Sequence, residues 1–234
     1  RTWSRTFAYP REPAKRLTTD FMKIHPALLL SFIACSLSGA EKKKDEGFVS
    51  LFDGKTLNGW EGKKEFFRVE KGAIVAGFLN KKVPHNEFLV SKKEYGDFEL
   101  HFEAKLIGPG NNAGVQFRSQ RIANHHEMIG YQCDIGSWSK GTIWGFLYDE
   151  SRRRKMLAQA PQDKVNSWVK PKGEWNKLRV LTKGPVIKIW LNGKQTVDFT
   201  EPQKEIPLKG RLGLQIHGGP PLECHYRKIQ IKTL

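Results

Sequence analysis

The chain has 234 residues, 27% of them charged and 38% hydrophobic, with a mean hydropathy of −0.54. This profile fits one soluble folded domain and excludes collagen, a coiled coil, a disulfide-dense mini-protein and a helical integral membrane protein. Lys and Arg outnumber Asp and Glu by 40 to 24, a formal charge of +16 with a pI near 9.8, which raises nucleic acid or an anionic surface as a partner. The basic residues are scattered among acids, apart from Lys42-Lys43-Lys44 and Arg152-Arg153-Arg154-Lys155, and no helix-turn-helix, zinc-finger or aromatic-basic RNA-binding pattern accompanies them. Solvated surface is therefore the better reading, and nucleic acid is not an expected partner.

In chain order, residues 1–21 precede the first methionine and show neither helix nor strand periodicity, as an upstream segment from a misassigned start would. Residues 22–40 begin with Met22 and Lys23, continue through an apolar stretch from Ala27 to Leu37, and end on Ser38, Gly39 and Ala40. A basic start, an apolar run too short to span a bilayer and small residues at the end predict a signal peptide cut after Ala40. The expected location is periplasmic or extracellular, with no transmembrane segment in the mature form. A lipid-carrying Cys35 is the lesser alternative, because Phe32-Ile33-Ala34 is a poor version of a lipoprotein box. Residues 41–46 read as a charged linker, and the cysteines beyond it, Cys133 and Cys224, read as free buried thiols.

Residues 47–234 read as a single all-β domain. The longest period-two run is 97–106, where Phe98, Leu100, Phe102, Ala104 and Leu106 alternate with Asp97, Glu99, His101, Glu103 and Lys105. Further strands are expected at 66–70, 73–76, 88–91, 114–118, 131–135, 178–182, 186–191, 212–217 and 226–231, separated by Gly, Pro and Asn punctuation such as the tight Asn192-Gly193 hairpin. Many short strands without a convincing amphipathic helix predict a two-sheet antiparallel jelly-roll β-sandwich.

Three of these strands carry an unusual second face. Opposite Val115 and Phe117 stand Gln116 and Arg118; opposite Tyr131, Cys133 and Ile135 stand Gln132 and Asp134; opposite Leu212, Leu214 and Ile216 stand Gln215 and His217. An ordinary solvated face is the bland alternative, but the strand at 97–106 shows Lys and Glu facing solvent, whereas these positions use groups suited to fixed hydrogen bonds with hydroxyls. Gly114, Gly130 and Gly213 leave room above the sheet, and Trp138, Trp144 and Tyr148 are placed to stack on a sugar ring or to fill a core. The six polar residues are expected to face one cavity.

Other constellations are weaker. His125-His126-Glu127 lacks the spacing that points two ligands at one ion and reads as a surface loop. Asp149 and Glu150, followed by the Arg152 cluster, read as a charged turn or as reserve carboxylates. No phosphate loop, Gly-x-Ser-x-Gly elbow or paired glucanase carboxylate motif is present, so no nucleotide cofactor and no two-carboxylate glycoside hydrolysis are expected.

Phe48 to Trp60, with its Leu-Phe-Asp-Gly-Lys-Thr-Leu-Asn-Gly-Trp core, is followed by Glu94-Tyr95-Gly96-Asp97-Phe98, Asn112-Ala113-Gly114-Val115-Gln116-Phe117-Arg118, Gly130-Tyr131-Gln132-Cys133-Asp134, Trp144-Gly145-Phe146, Glu174-Trp175-Asn176 and Gly213-Leu214-Gln215-Ile216-His217-Gly218. In these segments the chain resembles the 3-keto-disaccharide hydrolase domain family. It departs where Tyr226-Arg227-Lys228-Ile229 stands for the usual Phe-Arg-Asn-Ile, and where Tyr-Gln-x-Asp stands for Tyr-Glu-x-Gln. The resemblance implies a concanavalin-like sandwich and a glycoside or oligosaccharide substrate carrying a ketone at C3. Such a substrate loses its C2 proton to a base and its C1 oxygen by β-elimination, and then takes up water. In that scheme Asp134 or His217 is the base and Arg118 holds the enolate oxygen, with Gln116, Gln132 and Gln215 positioning hydroxyls. Trp144 and Tyr148 line the sugar, and Asp149 and Glu150 are reserves for acid, base or a divalent cation. The competing classes are a non-catalytic carbohydrate-binding module of the cell envelope and a structural sandwich.

Overall fold

The computed structural model describes residues 47–234; the expectations for 1–21, 22–40 with Cys35, and 41–46 lie outside the described residues. In chain order the elements are β1 (Val49–Ser50), β2 (Trp60–Glu61), β3 (Phe67–Glu70), β4 (Ala73–Phe78), β5 (Glu87–Tyr95), β6 (Phe98–Ile107), β7 (Asn112–Arg121) and β8 (Met128–Trp138). They continue with β9 (Gly141–Thr142), β10 (Leu147–Glu150), β11 (Lys155–Ala158), α1 (Gln162–Trp168), β12 (Asn176–Lys183), β13 (Val186–Leu191), β14 (Lys194–Thr200), β15 (Gly210–Ile216) and β16 (Leu222–Thr233). All pairings are antiparallel, in two sheets. The first runs β14-β13-β12-β6-β16-β4-β3 with β1 on β16; the second runs β11-β10-β8-β7-β15-β5-β2 with β9 on β8. This is the jelly-roll sandwich that the alternation predicts.

The period-two strands bury what their pattern says they should. Phe98, Leu100, Phe102, Ala104 and Leu106 of β6 face Val115, Phe117, Tyr131, Cys133 and Ile135 of the opposite sheet, all in one buried cluster. Phe98 and Phe117 meet edge to face across the sandwich at 6.3 Å. Cys133 and Cys224 are buried free thiols within it. The β13–β14 hairpin turns on Asn192 and Gly193, both at positive φ (49° and 82°), as a type I′ turn requires.

The short helix α1 is absent from the expectation. Its seven residues bury Val165 alone, too little for a 3.6-residue apolar period to register. Among the described residues no helix is long and apolar enough to cross a membrane.

Candidate functional site

The strands β10, β8, β7, β15 and β5 lie side by side, so the three unusual faces join into one. Register sets the rows: Tyr148, Gln132, Gln116 and Gly213 pair in one line, and Asp134, Gly114, Gln215 and Phe88 in the next. Every one of these residues alternates with a core residue and so projects away from the sandwich interior. The two glycines are the bare ground of the face. The Gln132 side chain lies over Gly114, where a Cβ would sit 2.5 Å from its amide carbon, and Met128 lies over Gly213 in the same way.

The face is buried and chemically unfinished. Gln132 Nε2 donates to Asp134 Oδ1 at 2.9 Å. Both amide atoms of Gln116, both of Gln215, Gln132 Oε1, Asp134 Oδ2 and Asn112 Oδ1 are buried without a hydrogen-bond partner. Each such atom costs free energy until something satisfies it. Sugar hydroxyls, which donate and accept at once, match this mixture of amide donors and carbonyl or carboxyl acceptors.

Electrostatics concentrate at the same place. Burial pushes the Asp134 carboxyl well above the usual carboxylate range, against the Gln132 bond that lowers it and together with the negative charge of Glu150. Glu150, on the same side of β10 as Tyr148, is raised to about 7, first by burial and then by Glu127, against the backbone N–H of Ser151 and the charge of Arg154. Burial, with Glu150 and Asp134, raises the Tyr148 phenol as well. Tyr148 meets the exposed Trp138 edge-on at 6.0 Å.

A bend in the β7–β8 hairpin encloses one end of the face. The ladder is interrupted between Phe117 and Gln120, with Arg118 at φ 47° on one strand and Gly130 at φ 149° on the other. Beyond it the tip reaches back toward the start of β5. Met128 packs with Phe88 and Val90, Arg121 Nη2 donates to Phe88 O at 2.9 Å, and Asn86 Nδ2 donates to Glu127 Oε1 at 2.9 Å.

That bulge corrects the expectation for Arg118. The extra residue ends strict alternation, and the guanidinium turns away from the polar face to donate to Gly96 O, Gly184 O and Asp97 Oδ1 at 2.7–2.9 Å. Each guanidinium nitrogen makes one of these bonds and the side chain is wholly buried, so Arg118 fastens turns of the opposite sheet rather than facing a substrate.

Asp149 is corrected too, since it lies on the opposite side of β10 from Glu150. There it is fully buried and accepts from Arg152 and Arg153, next to the Arg153–Glu201 pair that also takes the Tyr131 hydroxyl at 2.6 Å. Trp144 is 6% exposed and belongs to the core cluster, so it fills the core rather than offering a stacking face.

His217 follows β15 at the far end of the face. Its Nδ1–H donates to Gly218 O at 2.6 Å, which leaves Nε2 as the acceptor of the neutral ring. It lines a cavity of about 230 Å³ with Asn112 and Ser137.

The structure thus gathers Gln116, Gln132, Asp134, Gln215, Tyr148 and Glu150, with His217 at the rim. It adds Asn112, two positions before Gly114 and in phase with it, a signal the alternation carries. It also adds Glu127, whose Oε2 is buried without a partner and whose loop has no periodicity to announce it. Among the described residues no three His, Cys, Asp or Glu side chains converge as a metal ion would require.

A 3-keto-disaccharide hydrolase of Bacteroides thetaiotaomicron is 23% identical over 251 residues, 81% of this chain and 79% of its own. A candidate glycosyl hydrolase of Parabacteroides distasonis superposes with a TM-score of 0.60 at 21% identity, covering 83% of this chain and 97% of that one. The carbohydrate-binding module CBM66 of Bacillus subtilis superposes with a TM-score of 0.55 at 14% identity, covering 75% and 96%. At these identities the structural likeness shows a shared sandwich. The 3-keto-alpha-glucoside-1,2-lyase-like domain model matches residues 47–232, nearly the whole described sandwich, and the chain belongs to that family.

Proposed function

We propose that the protein cleaves the glycosidic bond of sugars already oxidised at C3, by C2 deprotonation, β-elimination and hydration. The observation that carries this reading is the set of buried, unpartnered amide and carboxyl atoms on one sheet face, around carboxyl groups that burial makes reluctant to ionise. The family and the name of the Bacteroides relative supply the substrate class.

A ketone at C3 acidifies the C2 proton. The ionised form of Asp134 takes that proton on Oδ2, the oxygen that Gln132 leaves free; burial makes this form scarcer and, where present, a stronger base. The C–H electron pair passes into an enolate, whose C3 oxygen receives an amide N–H from Gln116 or Gln215. The enolate collapses to form the C1=C2 bond while the C1–O bond breaks. Glu150, which holds its proton to about pH 7, gives it to the departing oxygen. Water then adds at C1, its proton going to Glu150, and Asp134 returns its proton to C2; the sum is hydrolysis. His217 Nε2 is the alternative base.

Asp134→Asn, Glu150→Gln and His217→Ala test the assignment on a panel of 3-keto glycosides, with and without a chelator. Loss of the base or acid should lower turnover by about a hundredfold to a thousandfold, with binding of the unoxidised disaccharide retained and Lys105→Ala near wild type. Wild-type turnover in all three variants would place the chemistry elsewhere. Sugar binding without turnover on any 3-keto glycoside would identify a binding module, for which the amides and the Trp138–Tyr148 pair suffice.

We further propose that the protein is exported, on the strength of residues 22–40. Mass spectrometry of the protein from its native host should find a mature terminus near Glu41; an intact Met22 would defeat this, and a diacylated Cys35 would make it a lipoprotein.

A further inference from the structure

A second groove, about 610 Å³, lies beside the sugar-facing sheet, between the bent β7–β8 tip and the residues leading into β5. Its chemistry is one-sided. Lys63, Arg121, His85, His125 and His126 line it; Glu87 is the carboxylate in the lining, and Glu127 lies 3.6 Å from His126 Nδ1 at its edge. Glu87 is already committed, to Lys63 Nζ at 2.5 Å and to His85 Nδ1 at 3.3 Å. Glu61, which acts on Arg121 at longer range, holds Arg211.

Arg121 has no carboxylate in ion-pair contact, since Glu61 and Glu87 act on it only at longer range. Its guanidinium is half-buried, and among the described residues its one hydrogen-bond partner is the Phe88 carbonyl through Nη2, so Nε and Nη1 keep their donors. A partly desolvated guanidinium with no carboxylate in contact is costly and ordinarily finds an anion. The histidines add donors. His125 Nδ1 accepts the Glu127 backbone N–H at 3.1 Å, which puts the proton of the neutral ring on Nε2. His85, His126 and His125 stack in sequence with centroids 4.3 Å apart, so the three rings form one fixed wall.

The groove shares two elements with the polar face. Arg121 is bonded to Phe88, the register partner of Gln215, and Asn86, beside His85, accepts the Gly218 N–H next to His217 at 2.9 Å. From this geometry we infer that the groove binds an oxyanion, the carboxylate or sulfate of an acidic saccharide whose neighbouring sugar occupies the polar face. The inference rests on the sugar-binding reading of that face and adds the class of substrate: acidic glycosides over neutral ones.

Calorimetry on the full chain with unoxidised ligands tests this without requiring turnover. The probes are a disaccharide ending in a uronic acid, its neutral counterpart and sodium sulfate. The acidic disaccharide should bind about tenfold tighter than the neutral one, and Arg121→Gln should erase that preference while leaving the neutral affinity unchanged. Sulfate should displace the acidic ligand and not the neutral one. Sulfate binding as tightly as the acidic disaccharide would make the oxyanion itself the whole ligand and overturn the saccharide assignment. Equal affinities for both disaccharides in the wild type, or an undiminished preference in folded Arg121→Gln, would overturn the site. Should Arg121→Gln fail to fold, the wild-type comparison and the sulfate competition decide alone. An acid preference in a protein that turns over no 3-keto glycoside would sink the proposed reaction and keep this site; turnover with no preference would do the reverse.

Discussion

Glu150 shows how one side chain's surroundings become a measurable pH dependence. Burial and the nearby charge of Glu127 hold its carboxyl at about 7, above the ordinary glutamate value of about 4.5. The folded state therefore keeps this proton where the unfolded chain gives it up, and the stabilising difference is complete below about pH 4.5 and lost as pH rises toward 7. Asp134, also raised, acts with the same sign. Glu150→Gln removes the charge that burial penalises. It should be more stable than wild type at pH 8 by roughly 1–2 kcal/mol, discounted for partial solvent access, and should show no such gain at pH 4.5. Urea denaturation at the two pH values checks this; an identical difference at both would mean that Glu150 titrates as an ordinary surface acid. If Glu150 is also the acid of the reaction, wild-type turnover should fall as pH rises through 7.

At the scale of the element, the β7–β8 hairpin shapes the site through its bend. Gly130 sits at φ 149° and an added Cβ would lie 2.2 Å from Ser119 Oγ and 2.8 Å from Ser119 Cα. Gly130→Ala should cost about 2–3 kcal/mol and speed amide exchange over 120–129, whereas Gly193→Ala, with φ 82° and open space around it, should cost about 1 kcal/mol. Equal costs would show that the bend is not tightly packed. The same bend marks where the sequence stops being legible. Gln116, Gln132, Asp134 and Gln215 could be read from alternation because each lies on an unbroken stretch of ladder. Arg118 is misread because the bulge after Phe117 inserts a residue that no local pattern announces, and Gly130 hints at it only through its missing side chain. Glu127 sits on the bent tip and is brought to Glu150 by the fold of the hairpin alone. Asp149 and Glu150 are adjacent in sequence and alike in chemistry; only the pairing of β10 with β8 decides that Glu150 faces the amides and Asp149 the arginines.

Across the whole molecule, the two sheets are tied by a few polar groups as well as by apolar packing. Arg118 bonds the second sheet to turns of the first, and Tyr226 crosses the core from β16 in the other direction. Its hydroxyl donates to Gln215 O at 2.6 Å and lies 3.1 Å from Gly114 O. Those two carbonyls belong to the stretch of β15 and β7 whose opposite side carries the Gln215 amide and the bare Gly114. The sheet opposite the site thus holds the site's backbone from behind. Tyr226→Phe keeps the ring and fills the same space, so the variant should fold. It removes one buried hydrogen bond and should lower stability by about 1 kcal/mol. Because the hydroxyl touches no substrate, turnover should fall less than tenfold, far less than in Asp134→Asn, and the pH profile should stay in place. Denaturant titration with steady-state rates across pH separates the outcomes. Unchanged stability would mean the hydroxyl contributes nothing net to joining the sheets, and a loss of turnover as large as that of Asp134→Asn would make Tyr226 part of the chemistry rather than a positioning residue.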